Sequence, residues 1–157
     1  MKKRFTKALI LLSGGQDSTT CLAWALKKFD KVYGITFDYG QVHKIELKSA
    51  KKIAKITKTP LLIYKTDIFK QFTKSALTDS NLPIKIPKNK LPSTFVPGRN
   101  HIFLSIAAIY AKQLSIQNII TGVCQTDYSG YPDCRNEFIK SLEKTINLAF
   151  GTTADPS

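Results

Sequence analysis

The segment Ser13–Thr20, with the sequence SGGQDSTT, lies directly between an apolar run and a helix-like stretch. Lys7–Leu12 has the pattern of a buried parallel strand, and Leu22–Leu26 continues with apolar residues typical of a core-facing helix. The glycine pair therefore marks a strand-to-helix turn. Gly14 and Gly15 can take positive φ, which lets the turn present several backbone N–H groups to one anion at the positive end of the helix dipole.

Hydroxyl and carboxylate side chains surround this glycine pair. Asp17 is placed either to cap the following helix or to help hold a magnesium ion. Four neighbours add hydroxyl donors: Ser13, Ser18, Thr19 and Thr20. An ordinary glycine turn is the alternative, but hydroxyls, acid and strand-loop-helix context together favour a phosphate-binding loop.

The loop is not a Walker A sequence, because that pattern requires a Lys directly before its Ser or Thr and none lies between Ser13 and Thr20. The pattern SGGxDS instead resembles the loop of the PP-loop ATP pyrophosphatases, which split ATP between the α and β phosphates. The resemblance implies that ATP is the nucleotide and that this loop holds its pyrophosphate portion, while the α-phosphate goes to a substrate oxygen.

Length and cysteine content set outer limits on the class of protein. A chain of 157 residues has the size of one domain. The apolar run Ala8–Leu12 is too short for the core of a secretory signal, and no stretch has the length needed to span a bilayer. Three cysteines without CxxC spacing (Cys21, Cys124 and Cys134) indicate neither a disulfide framework nor a complete zinc site. We therefore expect a cytoplasmic protein with no membrane partner and no metal ligand set of its own.

The net charge of +13 raises the question of a nucleic-acid partner. Only three of the 24 basic residues are arginine, and the lysines are spread over predicted helix surfaces instead of alternating with aromatics. A solvated lysine surface is the favoured explanation, and a dedicated RNA face is the alternative. The same charge would attract ATP or another small anion. We expect no direct nucleic-acid partner.

Predicted strands and helices alternate along the chain. After the first strand and helix, the pattern predicts strands at Lys31–Phe37, Leu61–Tyr64 and Asn118–Thr121, and helices at Gln41–Lys58, Gly98–Leu114 and Glu137–Phe150. This alternation is typical of βαβ units. It predicts an α/β fold with a Rossmann-like, doubly wound parallel sheet that is covered on both faces.

The domain prediction divides the chain into a body and a tail. Residues 1–150 form the predicted ATP-binding α/β domain, and 151–157 form a tail that looks foreign to it. Within the domain, 66–97 holds four prolines and no sustained periodicity. A segment of this kind is usually a lid, a binding loop or a partner surface, and a surface excursion without chemistry is the alternative.

The expected topology locates the ligands. If the strand order is 3-2-1-4, the ligands lie beyond the carboxyl ends of the strands, where the order reverses. The loops after the first and fourth strands then flank one crevice. We place ATP at the first loop and its acceptor at the fourth.

Three further segments narrow the resemblance. TFDYGQVHKIEL (36–47), STFVPGRNHIFLSIAAIYA (93–111) and TGVCQTDYSGYPDCRNEFI (121–139) follow SGGQDSTTC in this order. Together they resemble the 7-cyano-7-deazaguanine synthase family of PP-loop enzymes, whose fold is adenine nucleotide α hydrolase-like. The resemblance implies that ATP activates the carboxylate of 7-carboxy-7-deazaguanine for attack by ammonia. The resulting amide is activated again and becomes the nitrile preQ0, a precursor in queuosine biosynthesis.

The resemblance also suggests roles for residues near the nucleotide. The predicted ATP-binding residues are Leu12, Ser13, Gly14, Gly15, Gln16, Asp17, Ser18, Thr19, Thr20, Cys21, Leu22 and Phe37. Phe37 is a candidate for the adenine pocket, with a plain core position as the alternative. The predicted catalytic residues are Asp17, Ser18 and Arg99. Arg99 could pair with phosphate or with the substrate carboxylate, and a surface salt bridge is the alternative.

The loop 127–135 is the predicted substrate-recognition segment. A deazaguanine ring offers adjacent N–H and amino donors that Asp127 or Asp133 could accept in bidentate fashion, while turn formation is the alternative for each acid. Tyr128 and Tyr131 offer stacking faces, and Arg135 completes the predicted set. Structural roles are the default for the two histidines, His43 and His101, and for Cys21; Cys124 and Cys134 bracket the proposed pocket.

One departure from the family pattern affects the expected activity. The resemblance implies a longer chain with a four-cysteine Zn²⁺ site, further helices and part of a homodimer contact, and the three cysteines here do not match those ligands. We therefore expect a truncated product with weak or absent activity. Two other functions remain open: a PP-loop tRNA-modifying enzyme of the thiolation or lysidine type, and an inactive ATP-binding fragment.

Overall fold

Four parallel strands form a single sheet in the computed structural model, which describes residues 6–41, 44–72, 75, 77–79, 81, 83–84, 91–123 and 131–152. The strands are β1 (Lys7–Leu11), β2 (Lys31–Asp38), β3 (Leu61–Lys65) and β4 (Asn118–Ile120), and their order is β3-β2-β1-β4. The central strand β1 pairs in parallel on both sides, with Leu9 opposite Tyr33 and Ile119. The predicted doubly wound α/β fold is confirmed, and the strand order is the one on which the expected ligand positions were conditional.

Five helices connect and cover the described strands. They are α1 (Gln16–Lys28), α2 (Ile45–Ile56), α3 (Ile68–Phe72), α4 (Arg99–Gln113) and α5 (Asn136–Ala149), with a 3₁₀ turn at Pro132–Cys134. The predictions agree within a few residues except for α3 and for the starts of α1 and α2. α1 begins at Gln16, inside the segment 13–20 that was predicted to precede the helix. The prediction missed α3 because five residues carry too little periodicity to register, although its Phe69 is buried in the core.

The helix α2 begins later than the predicted Gln41 because that side chain is used otherwise. Gln41 is buried, its Oε1 accepts the Tyr39 N–H at 3.1 Å, and its Nε2 donates to the Phe37 carbonyl at 3.3 Å. These bonds hold a turn after β2 and compete with a helical start at this position. The end of β2 is consequently a rigid turn.

Each face of the sheet carries its own hydrophobic core, because neighbouring side chains of a strand point to opposite faces. Leu9 and Ile35 pack with Phe103 and Ala107 of α4 on one face. The other face packs against α1 and α2 through Ile10, Leu12, Leu22, Ala25, Ala50 and Ala54. Burial of each large side chain contributes about 1.5–3 kcal/mol. Among the described residues, no helix is long and apolar enough to cross a membrane.

Candidate active site

A cavity of about 570 Å³ opens at the carboxyl ends of β1, β2 and β4. The loop after β1 and the start of α1 provide one wall, and the start of α4 with the 3₁₀ turn provides the opposite one. The residues that line it are Leu11, Leu12, Ser13, Asp17, Ser18, Ile35, Thr36, Phe37, Tyr39, Gln41, Glu46, Leu47, Leu77, Arg99, Asn100, Phe103, Thr121, Gly122, Val123, Tyr131 and Cys134. The cavity lies where the predicted topology places ligands, between the ends of β1 and β4.

The loop after β1 depends on one of its two glycines. Gly14 has φ +88°, and a Cβ atom there would overlap the backbone oxygen of Glu46 and lie 2.6 Å from the backbone nitrogen of Ala50. Gly15 has φ −77° and is the N-cap residue of α1, so the positive φ considered for both glycines occurs only at Gly14. The close approach of α2 therefore requires glycine at position 14.

Two serine hydroxyls fix this loop from within. Ser18 Oγ accepts the Gly14 N–H at 3.2 Å and donates to the Gly15 carbonyl at 3.0 Å. Ser13 Oγ shares a 3.0 Å hydrogen bond with Ser18 Oγ and accepts the Gly15 N–H at 3.2 Å. Both serines also line the cavity. Their hydroxyls thus shape the turn that presents the first backbone N–H groups of α1.

The other predicted nucleotide residues divide into two groups. Leu12 and Asp17 line the cavity together with the two serines. Among the described residues that do not line it are Gly14, Gly15, Gln16, Thr19, Thr20, Cys21 and Leu22. The Thr19 and Thr20 hydroxyls donate to carbonyls one turn earlier in α1, at 2.8 and 3.0 Å, so neither points its proton at the cavity. Burial, and secondarily the Asp17 carboxylate, raises the pKa of Cys21, which disfavours a reactive thiolate.

Asp17 lies in the first turn of α1 and does not cap it. The N-cap residue is Gly15, and no side chain makes the cap hydrogen bond. The capping role considered for Asp17 is therefore wrong, because its carboxylate comes two residues after the N-cap position. The first turn is approached closely by the end of β4: a Cβ atom at Gly122 would lie 3.0 Å from the carbonyl carbon of Asp17 and from the nitrogen of Ser18.

The opposite wall carries Arg99, the first residue of α4. Its Cζ lies 6.0 Å from the centre of the Tyr131 ring. Burial raises the pKa of the nearby Tyr39 phenol, and the positive charge of Arg99 opposes this shift. Within the described part of the chain no carboxylate lies at ion-pairing distance from Arg99. A structural salt bridge, the alternative role of Arg99, thus has no partner among the described residues. The guanidinium is instead placed to meet an anion in the cavity.

Phe37 lies at the edge of the cavity but is packed as a core residue. Its ring stacks on Phe103 at 4.0 Å between centroids and 11° between planes, and it contacts Tyr64 edge-on at 6.0 Å. One face of the ring is therefore covered by protein. This packing favours the core explanation over adenine stacking for this side chain.

The predicted substrate loop is described only from Tyr131 onward, so Asp127 and Tyr128, as well as Cys124, lie outside the described residues. Tyr131 lines the cavity, shares a 3.0 Å hydrogen bond with Thr94 Oγ1 and stacks on Phe95 at 5.5 Å. The segment that carries STFVPGRN therefore holds Tyr131 in place. Substrate recognition by Tyr131 stays a prediction.

Asp133 supports the start of α4. It is 8% exposed, and its Oδ2 accepts the Asn100 N–H at 3.0 Å. The Asn100 side-chain amide in turn donates to the Asp133 carbonyl and to Cys134 Sγ, both at 3.3 Å. Asp133 does not line the cavity, and neither does Arg135, the N-cap residue of α5. The arrangement favours the structural alternative for Asp133, and base recognition by it remains a prediction.

Several cavity residues were missed from the sequence. Tyr39, Gln41 and Glu46 belong to the DYGQVHKIE segment, and Asn100 follows Arg99 in PGRN. The signal for the first group was their position after a buried strand.

His101, which is exposed, packs edge-on with Phe138 at 6.3 Å, and His43 lies outside the described residues. No three His, Cys, Asp or Glu side chains of the described residues come together as a metal site.

Comparisons with known proteins point to one family. The family model described as "Queuosine biosynthesis protein QueC" matches residues 7–156. The 7-cyano-7-deazaguanine synthase of Bacillus subtilis (strain 168) is 51% identical over 149 residues, which are 95% of this chain and 67% of that protein. The enzyme of the same name from Shouchella clausii (strain KSM-K16) is 49% identical over 144 residues, or 91% and 65%. The chain thus spans about two thirds of the length of these relatives.

Two solved structures share the fold. A predicted subunit of a tRNA methyltransferase from Methanocaldococcus jannaschii superposes with a TM-score of 0.55 at 19% identity, covering 90% of this chain and 64% of that one. The NH₃-dependent NAD synthetase from Campylobacter jejuni, solved with a nitrate ion, gives 0.56 at 16% identity, covering 96% and 68%. At these identities the similarity concerns the fold alone.

Proposed function

The chain belongs to the QueC family of queuosine biosynthesis proteins, and we propose that it uses ATP to convert 7-carboxy-7-deazaguanine and ammonia into 7-cyano-7-deazaguanine. One observation carries the proposal. The loop residues Ser13, Asp17 and Ser18 line one wall of a cavity and Arg99 lines the other, at the point where the sheet order reverses. The loop that we propose to bind phosphate therefore shares with the Arg99 guanidinium a cavity large enough for two small ligands.

The first chemical step joins the substrate to the nucleotide. A carboxylate is a poor acyl donor because its leaving group would be oxide. Attack of a carboxylate oxygen on the α-phosphorus of ATP forms an acyl adenylate and releases pyrophosphate. The loop Ser13–Ser18 would hold the departing pyrophosphate through the N–H groups of α1, and Arg99 would balance negative charge on the acceptor side.

Three further steps complete the reaction. Ammonia attacks the acyl carbon, AMP leaves with the former carboxylate oxygen, and an amide remains after loss of a proton. The amide oxygen then attacks the α-phosphorus of a second ATP and releases pyrophosphate, and elimination of AMP with loss of the two amide protons gives the nitrile. The residues of this chain contribute mainly positioning and charge balance, because the leaving groups come from ATP.

Metal ions enter this proposal with the nucleotide. Mg²⁺ is usually held by one or two carboxylates together with substrate phosphates, and Asp17 offers one carboxylate at the cavity wall. The donor set thus fits a magnesium ion that neutralises phosphate charge. Zn²⁺ is not assigned to any residues of this chain.

Several coarser features complete the proposal. ATP, ammonia and the deazaguanine are small molecules, so we expect no direct nucleic-acid partner and a cytoplasmic location, where ATP is available. Residues 1–150 act as the ATP-binding domain. The segment 66–97 contributes Leu77 to the lining of the cavity, which supports a role for it in ligand binding. Residues 151–152 end α5 with a turn, while 153–157 lie outside the described residues. A homodimer remains part of the family expectation.

A product assay tests the proposed function. Purified chain is incubated with ATP, Mg²⁺, ammonium and 7-carboxy-7-deazaguanine, and the products are followed by mass spectrometry. We expect slow formation of the nitrile, AMP and pyrophosphate, and a further loss of roughly tenfold or more in rate for Arg99→Gln. ATP binding without AMP formation would indicate an ATP-binding fragment instead. Tight, steeply salt-dependent tRNA binding without nitrile would indicate a tRNA-modifying enzyme.

A further inference from the structure

Tyr131 and Arg99 meet at the cavity although the segments that carry them are distant in sequence. The Arg99 Cζ lies over the Tyr131 ring, 6.0 Å from its centre, and both side chains line the cavity. A guanidinium at this distance is attracted by the negative face of an aromatic ring. The two residues therefore form a cation–π pair at the place where we expect a ligand to lie.

The Tyr131 side chain is held by groups other than Arg99. Its hydroxyl shares a 3.0 Å hydrogen bond with Thr94 Oγ1, and its ring stacks on that of Phe95, with 5.5 Å between centroids and 29° between planes. Thr94 and Phe95 belong to the segment that leads into α4, and their neighbour Val96 is buried in the core at 2% exposure. The ring is thus attached to a segment that the core anchors.

The backbone of Tyr131 is restricted as well. A residue before proline favours extended backbone, and Tyr131, which precedes Pro132, has φ −63° and ψ 120°. Its carbonyl accepts the Cys134 N–H at 3.1 Å, which closes the 3₁₀ turn Pro132–Cys134. Because both backbone and side chain are held, the ring offers Arg99 a fixed surface before any ligand binds.

The contact orients the charge of Arg99 without neutralising it. The Arg99 side chain is long and starts at the first residue of α4, so it loses rotamer freedom when it binds an anion in one arrangement. A ring that restrains the guanidinium beforehand reduces this loss. The ring attracts the guanidinium without an opposite formal charge, so the positive charge stays available to a ligand. A carboxylate in the same place would form an ion pair and compete with the ligand.

We propose that Tyr131 is a positioning residue, whose ring holds the Arg99 guanidinium ready for a phosphate or carboxylate group of the ligands in the cavity. This inference rests on the proposed function, in which Arg99 meets an anion. It gives the ring a role other than stacking on the deazaguanine base, which the sequence predicted. Positioning acts only through Arg99, whereas stacking does not need Arg99, and this difference makes the inference testable.

The test is a double-mutant cycle read by calorimetric binding to the folded chain. Three probes are titrated separately: ATP, 7-carboxy-7-deazaguanine and the neutral amide of that acid. The variants are Tyr131→Leu, Arg99→Gln and both together, and Tyr131→Phe keeps the ring while it removes the hydrogen bond to Thr94. Tyr33→Leu is the matched control, because Tyr33 also forms a cation–π pair, with Lys31 Nζ at 5.0 Å, but does not line the cavity. Thermal unfolding checks that each variant keeps the fold.

We expect Arg99→Gln to weaken one of the two anionic probes, ATP or the acid, roughly tenfold or more. Tyr131→Leu should weaken the same probe about three- to fivefold, as for loss of one partly exposed cation–π contact, and should not change binding of the amide. In the Arg99→Gln background, Tyr131→Leu should have no further effect. Tyr131→Phe should lose less than about twofold, because the ring remains. Tyr33→Leu should bind all three probes like the parent chain.

The outcomes separate this inference from the proposed function. Equal weakening of acid and amide by Tyr131→Leu, or the same loss with and without Arg99, identifies stacking on the base and overturns the positioning role while the proposed function stands. No effect of Tyr131→Leu beside a clear Arg99→Gln effect, equal losses for the leucine and phenylalanine variants, or normal binding of both anions by Arg99→Gln also overturns it. Failure of the parent chain to bind ATP overturns the proposed function and the inference that rests on it.

A measurement without ligand tests the contact itself. The ring current of Tyr131 shifts the side-chain NMR signals of Arg99 when the guanidinium lies over the ring. In Tyr131→Leu these signals should move toward their ordinary positions, and in Tyr131→Phe they should stay close to those of the parent chain. Unchanged Arg99 signals in the leucine variant would contradict the contact.

Discussion

The two walls of the cavity are built in different ways. The wall formed by Ser13–Ser18 is held by hydrogen bonds between residues at most five positions apart. The wall around Arg99 depends on bonds that join Thr94 to Tyr131 and Asn100 to Asp133, across 37 and 33 positions. The hydrogen bonds of the first wall, the local wall, therefore join near neighbours in sequence. Those of the second wall, the tertiary wall, form only when distant segments come together. Substitutions should show which wall depends on local contacts and which on distant ones.

Substitution of Gly14 tests the place where the local wall is approached most closely by α2. Gly14→Ala forces a Cβ atom against the backbone of α2 at a positive φ, and we expect it to lower the free energy of unfolding by about 3 kcal/mol or more. Gly98→Ala is the control, because Gly98 has φ +70° and no atom lies within 4 Å of the place that its Cβ would take. It should lower stability by roughly 1 kcal/mol. Urea unfolding measures both, and equal losses would contradict the packing argument.

Substitution of Asp133 tests the tertiary wall. Asp133→Ala removes the acceptor for the Asn100 N–H at the start of α4 and should lower stability by roughly 1–2 kcal/mol. Asp133→Asn keeps an acceptor and should lower it less. Because Tyr131 and Arg99 lie on either side of this contact, the alanine variant should also weaken ligand binding. Normal stability combined with lost binding of 7-carboxy-7-deazaguanine would instead favour Asp133 as a reader of the base.

Much of the fold and part of the cavity could be predicted from the sequence. The parallel sheet followed from the βαβ alternation, and the loop after β1 followed from Gly14 and its serine neighbours, because both are local patterns. The missed features have different causes. α3 is too short for a periodic signal, and Tyr39 packs against Phe103 of α4, which is remote in sequence. The sequence could not decide between a turn role and a ligand role for Asp133, because its partner Asn100 is remote in sequence. Sequence reasoning thus located the cavity but not how its second wall is held.

The smallest expected effect concerns Cys21 behind the local wall. Burial and the nearby Asp17 carboxylate raise its pKa, so less thiolate is present under mildly alkaline conditions than in a free cysteine. Alkylation by iodoacetamide, followed at this residue by peptide mass spectrometry, should be slower than for N-acetylcysteine. Asp17→Asn should accelerate it modestly, and an unchanged rate would argue against the placement of Asp17 beside Cys21.

The account depends most on where the triphosphate lies. A crystal structure of the chain with α,β-methylene ATP, which resists cleavage between the α and β phosphates, addresses this directly. We predict that the β and γ phosphates lie within hydrogen-bonding distance of the N–H groups of the Ser13–Ser18 loop and that the α-phosphate lies on the side facing Arg99. A nucleotide bound elsewhere, or one with its phosphates directed away from this loop, would contradict the account.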